Sequence, residues 1–124
     1  MTSKPSLAGR QILLVEDEFM IAMDIEAELV EAGAQVVCAG RLEEAEKLAQ
    51  TVSCHAAILD LDLHGKTSFP VADRLEERGI PFLFHTGHGV RENLKTRYPH
   101  TLVCNKPCDI SDLVRSLGEL VPAS

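Results

Sequence analysis

Five short apolar runs divide this chain, and each is followed by a stretch with the spacing of an amphipathic helix. The runs are continuous rather than alternating, which is typical of strands that are covered on both faces in a parallel sheet. Parallel strands joined through helices by right-handed crossovers form an α/β sandwich. We therefore predict an open five-stranded parallel sheet between two layers of helices. The segments that carry the runs are 11–17, 34–40, 55–60, 80–89 and 101–107.

The intervening segments carry helical patterns with recognisable ends. Ser68 is the predicted cap of the third helix, with Pro70 in its first turn and Gly79 at its end. A loop of about six residues is expected before this helix. Residues 90–100 predict a short fourth helix, and Asp109 is the predicted cap of the last one. The core-facing positions of the first, second and last helices are predicted as Ile21, Ile25 and Leu29, then Leu42, Ala45, Leu48 and Ala49, then Ile110, Leu113, Val114 and Leu117.

The length and the net charge of the chain argue against several classes of protein. A chain of 124 residues predicts one domain, here 10–124 after a flexible tail at 1–9, with no output domain. The net charge of −7 and the lack of a Lys/Arg cluster argue against nucleic-acid binding. No apolar stretch approaches the roughly 18 residues of a membrane span, and the N-terminus lacks the apolar centre of a signal peptide. We therefore expect a cytoplasmic protein without membrane contacts.

The four cysteines are predicted to be reduced, structural thiols. Cys38 and Cys104 lie within apolar runs, where cysteine behaves as a small buried hydrophobic residue. Cys104 and Cys108 are four residues apart, but a second pair with metal-finger spacing is missing from the sequence. A His/Cys metal site is therefore not expected.

Chemically capable side chains follow four of the five runs. Glu16 and Asp17 follow the first run, Asp60 ends the third, Thr86 ends the fourth and Lys106 follows the fifth. The carboxyl ends of parallel strands meet at one edge, which is where open α/β sheets bind ligands. If the strand order is 2-1-3-4-5, Asp17 lies beside Asp60. The sequence therefore predicts one site at this edge.

The predicted cluster is suited to phosphoryl chemistry. Neighbouring carboxylates repel one another unless a proton or a cation intervenes, and a set of hard oxygen ligands suits Mg²⁺. An aspartate can act as a nucleophile and form an acyl phosphate. A hydroxyl such as that of Thr86 and an ammonium such as that of Lys106 can hold phosphoryl oxygens. Each residue alone is more often a cap, a turn residue or a surface charge, so only their combination at one edge points to a phosphoryl site.

The sequence resembles the receiver domains of two-component response regulators along essentially all of residues 10–120. The matching motifs are ILLVEDE, ILDLDLHG, PFLFHTGHG and CNKP, in the order and spacing of that family. The resemblance implies a flavodoxin-like (βα)5 fold with strand order 2-1-3-4-5 and phosphorylation of Asp60 by a histidine kinase. It implies that Thr86 and Lys106 bind the phosphoryl group. The implied ligands of Mg²⁺ are Glu16, Asp17, Asp60 and the backbone carbonyl of Asp62.

A narrower likeness is to the FAT GUY subgroup of receivers. Its Phe-Ala-Thr-Gly signature reads Phe84-His85-Thr86-Gly87 here, so His85 replaces the alanine. The likeness implies a stand-alone regulator served by a histidine kinase of the HWE type. Such a regulator would pass its signal to a phosphotransferase or an effector protein.

The resemblance implies that Asp62 and His88 flank the phosphoryl group and modulate its hydrolysis, and Gly87 beside His88 is expected to act with them. Many receivers carry a switching Tyr or Phe three residues before the lysine, but this chain has Val103 there. We therefore expect segment 87–100, with its two glycines, to be the mobile element instead.

Two other functions remain open on the sequence alone. A haloacid-dehalogenase-type phosphatase also has an Asp-x-Asp motif after an apolar strand, but that family places it on the first strand. Here Glu16 and Asp17 come first, and no late acidic pair follows a strand. A receiver-like docking module that is never phosphorylated is the second alternative, although the complete set of Asp17, Asp60, Thr86 and Lys106 argues against it.

Overall fold

A computed structural model describes residues 7–87 and 91–121 and confirms the predicted α/β sandwich. The main strands are β1 (Gln11–Val15), β2 (Gln35–Ala39), β3 (Ala56–Asp60), β6 (Phe82–Thr86) and β7 (Leu102–Asn105). A two-stranded hairpin, β4 (Asp62–Leu63) and β5 (Lys66–Thr67), follows β3. The helices are α1 (Phe19–Glu31), α2 (Leu42–Thr51), α3 (Phe69–Glu77), α4 (Arg91–Arg97) and α5 (Ile110–Leu120).

The main sheet is parallel, with the order β2-β1-β3-β6-β7. Without the hairpin strands, this is the predicted order 2-1-3-4-5. Successive strands are added on one side of β1 as far as β2 and then on its other side from β3 onward, so the order of the strands switches between β1 and β3. These two strands pair in parallel from Ile12 with Ala56 to Val15 with Leu59. The carboxyl ends of β1 and β3 therefore lie side by side, as the sequence predicted for the site.

Two apolar cores lie on opposite faces of the sheet. One packs α2, α3 and α4 against side chains such as Leu13, Leu59 and Phe84. The other packs α1 and α5 against side chains such as Leu14 and Ile58. Every residue of β3 and β6 is buried, which explains why their sequences are continuous apolar runs up to their carboxyl ends.

The residues predicted to face the core from α1, α2 and α5 do face it in the structure. Ala45 and Ala49 are fully buried on α2, and Leu42 and Leu48 pack beside them at the edge of the same core. The corresponding residues of α1 and α5 follow the same arrangement: Ile25, Leu29, Leu113, Val114 and Leu117 are buried, and Ile21 and Ile110 are partly buried. None of the helices in the described residues is long and apolar enough to cross a membrane.

The hairpin β4–β5 was not foreseen in the sequence, which predicted only a loop. Its two-residue turn consists of His64 and Gly65, whose φ angles are 52° and 85°. Positive φ at both turn positions matches the twist of a tight hairpin, and Gly65 adopts it without a steric cost. Leu63, the second residue of β4, is buried and anchors the hairpin to the core.

The predicted helix ends are only partly correct. Asp109 caps α5 as expected, since its carboxylate accepts a hydrogen bond from Ser111 N at 2.8 Å. Pro70 lies in the first turn of α3, also as expected. Ser68 occupies the cap position of α3, but its side chain makes no cap hydrogen bond and its buried Oγ has no partner among the described residues. Gly79 follows α3 with a φ of 69°, which suits a helix end.

The burial of the cysteines differs from the expectation, whereas the flexible tail at 1–9 stays a prediction, since the structure describes only residues 7–9 of it. The first residue that the structure describes is Leu7, which belongs to the predicted tail. Leu7 is buried and donates its N–H to Ala32 O at 2.9 Å. Cys38 is exposed and Cys104 is half-buried, whereas Cys54 is buried. Cys38 lies on β2, an edge strand whose outer side chains are less covered than those of β3.

Candidate functional site

A cleft of about 610 Å³ opens at the carboxyl-end edge of the main sheet. Glu16 lies beneath it and is buried. The cleft therefore brings together the predicted site residues of β1, β3, β6 and β7, while His88 lies outside the described residues. The cleft is lined by Asp17, Glu18, Asp60, Leu61, Asp62, Thr67, Thr86, Gly87 and Lys106.

Three carboxylates form the floor of the cleft. Glu16, Asp17 and Asp60 each place an oxygen within 4.8 Å of the oxygens of the other two. Glu16 and Asp17 directly follow β1, and Asp60 is the last residue of β3, so strand pairing alone brings them together. Three carboxylate oxygens at this spacing can hold one small divalent cation.

Asp60 is buried and carries an electrostatic penalty. Loss of water and the nearby charge of Glu16 raise the pKa of Asp60 to about 7, although Lys106 and the Asp62 backbone N–H oppose the shift. Asp60 Oδ2 lies 3.3 Å from Lys106 Nζ, and Asp60 Oδ1 accepts the N–H of Asp62 at 3.3 Å. The carboxylate is therefore held in place, but its charge is only partly balanced.

Lys106 connects two of the acids. Its ammonium lies 3.3 Å from Glu16 Oε1 as well as from Asp60, with Glu18 further out at 3.9 Å. Burial alone would lower the pKa of Lys106, but the charges of Asp60 and Glu16 outweigh it and raise the pKa. Glu16 Oε2 also accepts the N–H of Glu18 at 3.1 Å. Lys106 is thus a fixed cation at the wall of the cleft.

Asp17 is held by the hairpin rather than by the lysine. Its Oδ2 accepts the backbone N–H of His64 at 3.0 Å, and the His64 ring lies 3.7 Å away. Burial would raise the pKa of Asp17, but the His64 N–H and the contact with Asp60 outweigh it and lower the pKa. Asp17 is therefore more readily ionised than an ordinary aspartate.

Asp62 differs from Asp60 in its environment. It is exposed, and its Oδ1 accepts the N–H of Gly65 at 3.0 Å across the hairpin turn. The side chain therefore helps to form the turn while the residue lines the cleft.

Thr86 and Lys106 face the cleft from neighbouring strands. Thr86 is buried at the end of β6, and its carbonyl accepts the N–H of Lys106 at 2.7 Å. The Lys106–Pro107 peptide bond is cis. A backbone hydrogen bond thus ties the hydroxyl-bearing residue to the ammonium-bearing one.

Sequence-based prediction missed Thr67, which lines the cleft from β5, and an aromatic cluster of Phe82, Phe84 and Tyr98. In that cluster the ring centroid of Tyr98 lies 5.5 Å from that of Phe84 and 5.8 Å from that of Phe82. Tyr98 is buried, and its hydroxyl donates to Asp73 Oδ1 at 2.7 Å. A single tyrosine after a short helix gives no sequence signal that it will pack among other aromatic rings. Mobility of segment 87–100 stays a prediction, and residues 88–90 lie outside the described residues.

His85 was noted in the sequence only as a departure from a motif. It is buried beside Asp60 in the strand pairing, and neither ring nitrogen has a partner among the described residues. Burial and the charge of Lys106 lower the pKa of His85 to about 4, so the imidazole is neutral at physiological pH.

Family models and curated proteins gave no match to the sequence. The receiver domain of HemR from Leptospira biflexa is 26% identical, with a TM-score of 0.80 over 93% of this chain and 96% of that one. This chain has the receiver-domain fold.

Two further receiver structures extend the comparison. The response regulator PhyR from Brucella abortus is 27% identical, with a TM-score of 0.76 over 95% of this chain and 49% of PhyR. The receiver domain of a sensor histidine kinase from Pseudomonas aeruginosa PAO1 is 23% identical, with a TM-score of 0.76 over 91% of this chain and 98% of that one. In that neighbour a magnesium ion is coordinated in the active site cleft. These structures associate the receiver fold with two-component signalling, whereas the FAT GUY likeness stays a prediction.

Proposed function

We propose that this receiver accepts a phosphoryl group on Asp60 in a Mg²⁺-dependent reaction and signals through contacts with other proteins. The observation that carries the proposal is the buried Asp60 carboxylate, held 3.3 Å from Lys106 Nζ and within reach of two further acids. The phosphodonor is proposed to be a phosphohistidine of a histidine kinase, of the HWE type if the FAT GUY likeness is correct. A phosphotransferase or an effector protein would receive the signal. The protein is proposed to act in the cytoplasm.

The residues at the floor have distinct proposed roles. An oxygen of Asp60 attacks phosphorus, the bond from phosphorus to the donor nitrogen breaks, and an acyl phosphate forms. Lys106 and the Thr86 hydroxyl hold phosphoryl oxygens and oppose their negative charge. Lys106 Nζ already lies 3.3 Å from Asp60 Oδ2, so it needs to move little to contact a phosphoryl group on Asp60.

Magnesium fits the donor set of the floor. Glu16, Asp17 and Asp60 supply only carboxylate oxygens, and the backbone carbonyl of Asp62 is proposed as a further ligand. Burial, and then the charge of Glu16, raise the pKa of Asp60, so an ionised Asp60 carries a cost that Lys106 only partly offsets. A bound Mg²⁺ would offset the remainder of that cost and would also neutralise the incoming phosphoryl oxygens.

The test is phosphorylation by acetyl phosphate, which needs no partner protein. We expect wild-type protein to gain one phosphoryl group, seen by intact mass, with Mg²⁺ and not with a chelator. The group should be released by hydroxylamine, which cleaves acyl phosphates. Asp60→Asn should gain none, and Asp24→Asn, which alters an exposed acid on α1, should behave as wild type.

The same assay separates the alternatives. Incorporation that survives Asp60→Asn would contradict the assignment of the phosphoacceptor. A folded wild-type protein that takes up no phosphate from acetyl phosphate or from kinases would support a docking module instead. Sustained hydrolysis of general phosphate esters, unaffected by loss of Asp17, would support a phosphatase.

A further inference from the structure

A backbone group of the hairpin β4–β5 contacts the floor of the cleft. The N–H of His64 donates to Asp17 Oδ2 at 3.0 Å, although the two residues are 47 positions apart in the sequence. The His64 ring lies 3.7 Å from the same oxygen, but 65% of the His64 side chain is exposed, against 17% for Asp17. The backbone N–H of the turn therefore makes the hydrogen bond to Asp17, whereas the imidazole lies largely in water.

The conformation of the turn places that N–H where Asp17 can accept it. His64 and Gly65 both have positive φ angles, 52° and 85°. Asp62 Oδ1 accepts the N–H of Gly65 at 3.0 Å and closes the turn. The buried Leu63 fixes the base of the hairpin in the core. Because the base is fixed, the direction of the His64 N–H depends on the left-handed conformation of the two turn residues.

We propose that the His64–Gly65 turn positions Asp17 for Mg²⁺, and that the bound ion in turn stabilises the turn. This rests on the proposed Mg²⁺ site, since a turn can position a ligand only if that ligand binds an ion. His64 is then a positioning residue that acts through its backbone N–H rather than through its side chain. The hairpin would belong to the metal site and would not merely connect β3 to α3.

Asp17 depends on this support more than the other two acids of the floor. Lys106 Nζ lies 3.3 Å from both Glu16 and Asp60, and both of these acids are buried. An oxygen of Asp17 lies within 4.8 Å of oxygens of both acids, so their negative charge repels it. The His64 N–H keeps the Asp17 carboxylate in place against this repulsion. Loss of a partner that orients a metal ligand typically weakens metal binding about ten- to hundredfold.

The coupling between the ion and the turn must act in both directions. If loss of the turn geometry weakens Mg²⁺ binding about tenfold, Mg²⁺ must stabilise the closed turn by the same factor. Opening of the turn exposes the His64 N–H to water, and the rate of hydrogen exchange at this N–H reports how often that happens. The affinity for Mg²⁺ and the exchange rate therefore measure one coupling from its two ends, and neither depends on phosphorylation.

Calorimetric titration with Mg²⁺ compares two substitutions of His64 with the wild type. His64→Val should weaken binding about tenfold, because valine is branched at Cβ and disfavours the left-handed φ that directs the N–H. His64→Asn keeps the N–H, and asparagine before glycine is preferred in such turns, so its affinity should stay within twofold of wild type. Since both substitutions remove the exposed imidazole, the difference between them reports the conformation of the turn.

Hydrogen exchange followed by NMR tests the reverse effect in the wild-type protein, so it does not depend on whether a variant folds. Saturating Mg²⁺ should slow exchange of the His64 N–H about tenfold. The N–H of Ser111 is the matched control, because it also donates to a carboxylate, that of Asp109 at 2.8 Å, and lies outside the lining of the cleft. Its exchange should change less than twofold.

The outcomes separate this proposal from the proposed function. Equal affinities of His64→Val and His64→Asn would overturn the role of the turn, and so would equal slowing of exchange at His64 and Ser111. If the wild type binds Mg²⁺ and is phosphorylated in either case, the proposed function stands and only the turn is removed from the metal site. Wild-type protein that binds no Mg²⁺ would contradict the metal site of the proposed function and this proposal with it.

Discussion

Asp60 and Asp62 are one residue apart, yet they belong to two different regions of the molecule. Asp60 ends a fully buried strand and is 5% exposed, and its carboxylate is held by Lys106. Asp62 begins the exposed hairpin, and its carboxylate accepts the N–H of Gly65. The backbone N–H of Asp62 meanwhile donates to Asp60. Residues of the same type thus provide a candidate reactive group and a turn-forming group.

The difference between Asp60 and Asp62 shows that burial decides how costly the charge of a carboxylate is, and so what the side chain can do. Removal of water makes the charge of Asp60 costly, and the adjacent Glu16 makes it more so. A reactive carboxylate of this kind can be kept only where a strand holds it and a cation approaches it. Asp62 remains in water, where its charge costs little, and stabilises the local backbone instead.

Asp60→Asn should stabilise the metal-free fold at alkaline pH. Because the pKa of Asp60 in the folded chain is raised from 3.8 to about 7, its ionisation opposes folding increasingly as pH rises between these values. The variant lacks this cost, so its free energy of unfolding relative to wild type should rise with pH, to about 2 kcal/mol at about pH 8.

The measurement is urea unfolding with a chelator at several pH values. Asp24→Asn serves as the control and should show no such trend. A difference between Asp60→Asn and wild type that stays constant from about pH 4 to about pH 8 would contradict the assigned cost. Added Mg²⁺ should reverse the order by stabilising wild type.

Glu16→Gln should weaken Mg²⁺ binding about tenfold or more, because it removes one of the three charged oxygen ligands at the floor. Calorimetric titration with Mg²⁺ measures the affinity. Glu43→Gln is a suitable control, since Glu43 is an exposed acid that pairs with Lys66 at 3.4 Å, outside the floor. Equal affinities in the two variants would show that Glu16 is not a ligand.

Asp62→Ala should lower the free energy of unfolding by about 0.5–1 kcal/mol, because it removes the acceptor for the Gly65 N–H. Asp62→Asn should lower it less, since its amide oxygen can still accept. Mg²⁺ affinity should change less than threefold in Asp62→Asn if only the backbone carbonyl binds the ion. A loss as large as that of Glu16→Gln would place the Asp62 side chain among the ligands.

Sequence alone determined the sheet and the main site. Continuous apolar runs specify buried parallel strands, and polar residues placed at their carboxyl ends must meet at one edge, because parallel strands share one direction. The shared direction of the strands is enough to predict that five residues lie together: Glu16, Asp17, Asp60, Thr86 and Lys106.

Tertiary structure decided the features that depend on contacts between distant segments. The His64–Gly65 turn brings a backbone N–H to Asp17, 47 residues away, and places Thr67 at the cleft. Leu7 is buried because it meets the end of α1, and Cys38 is exposed because β2 is an edge strand. Periodicity reports which residues are apolar and how they are spaced. It does not report which surface covers them or which hydrogen-bond donor comes near, because those depend on how the whole chain packs.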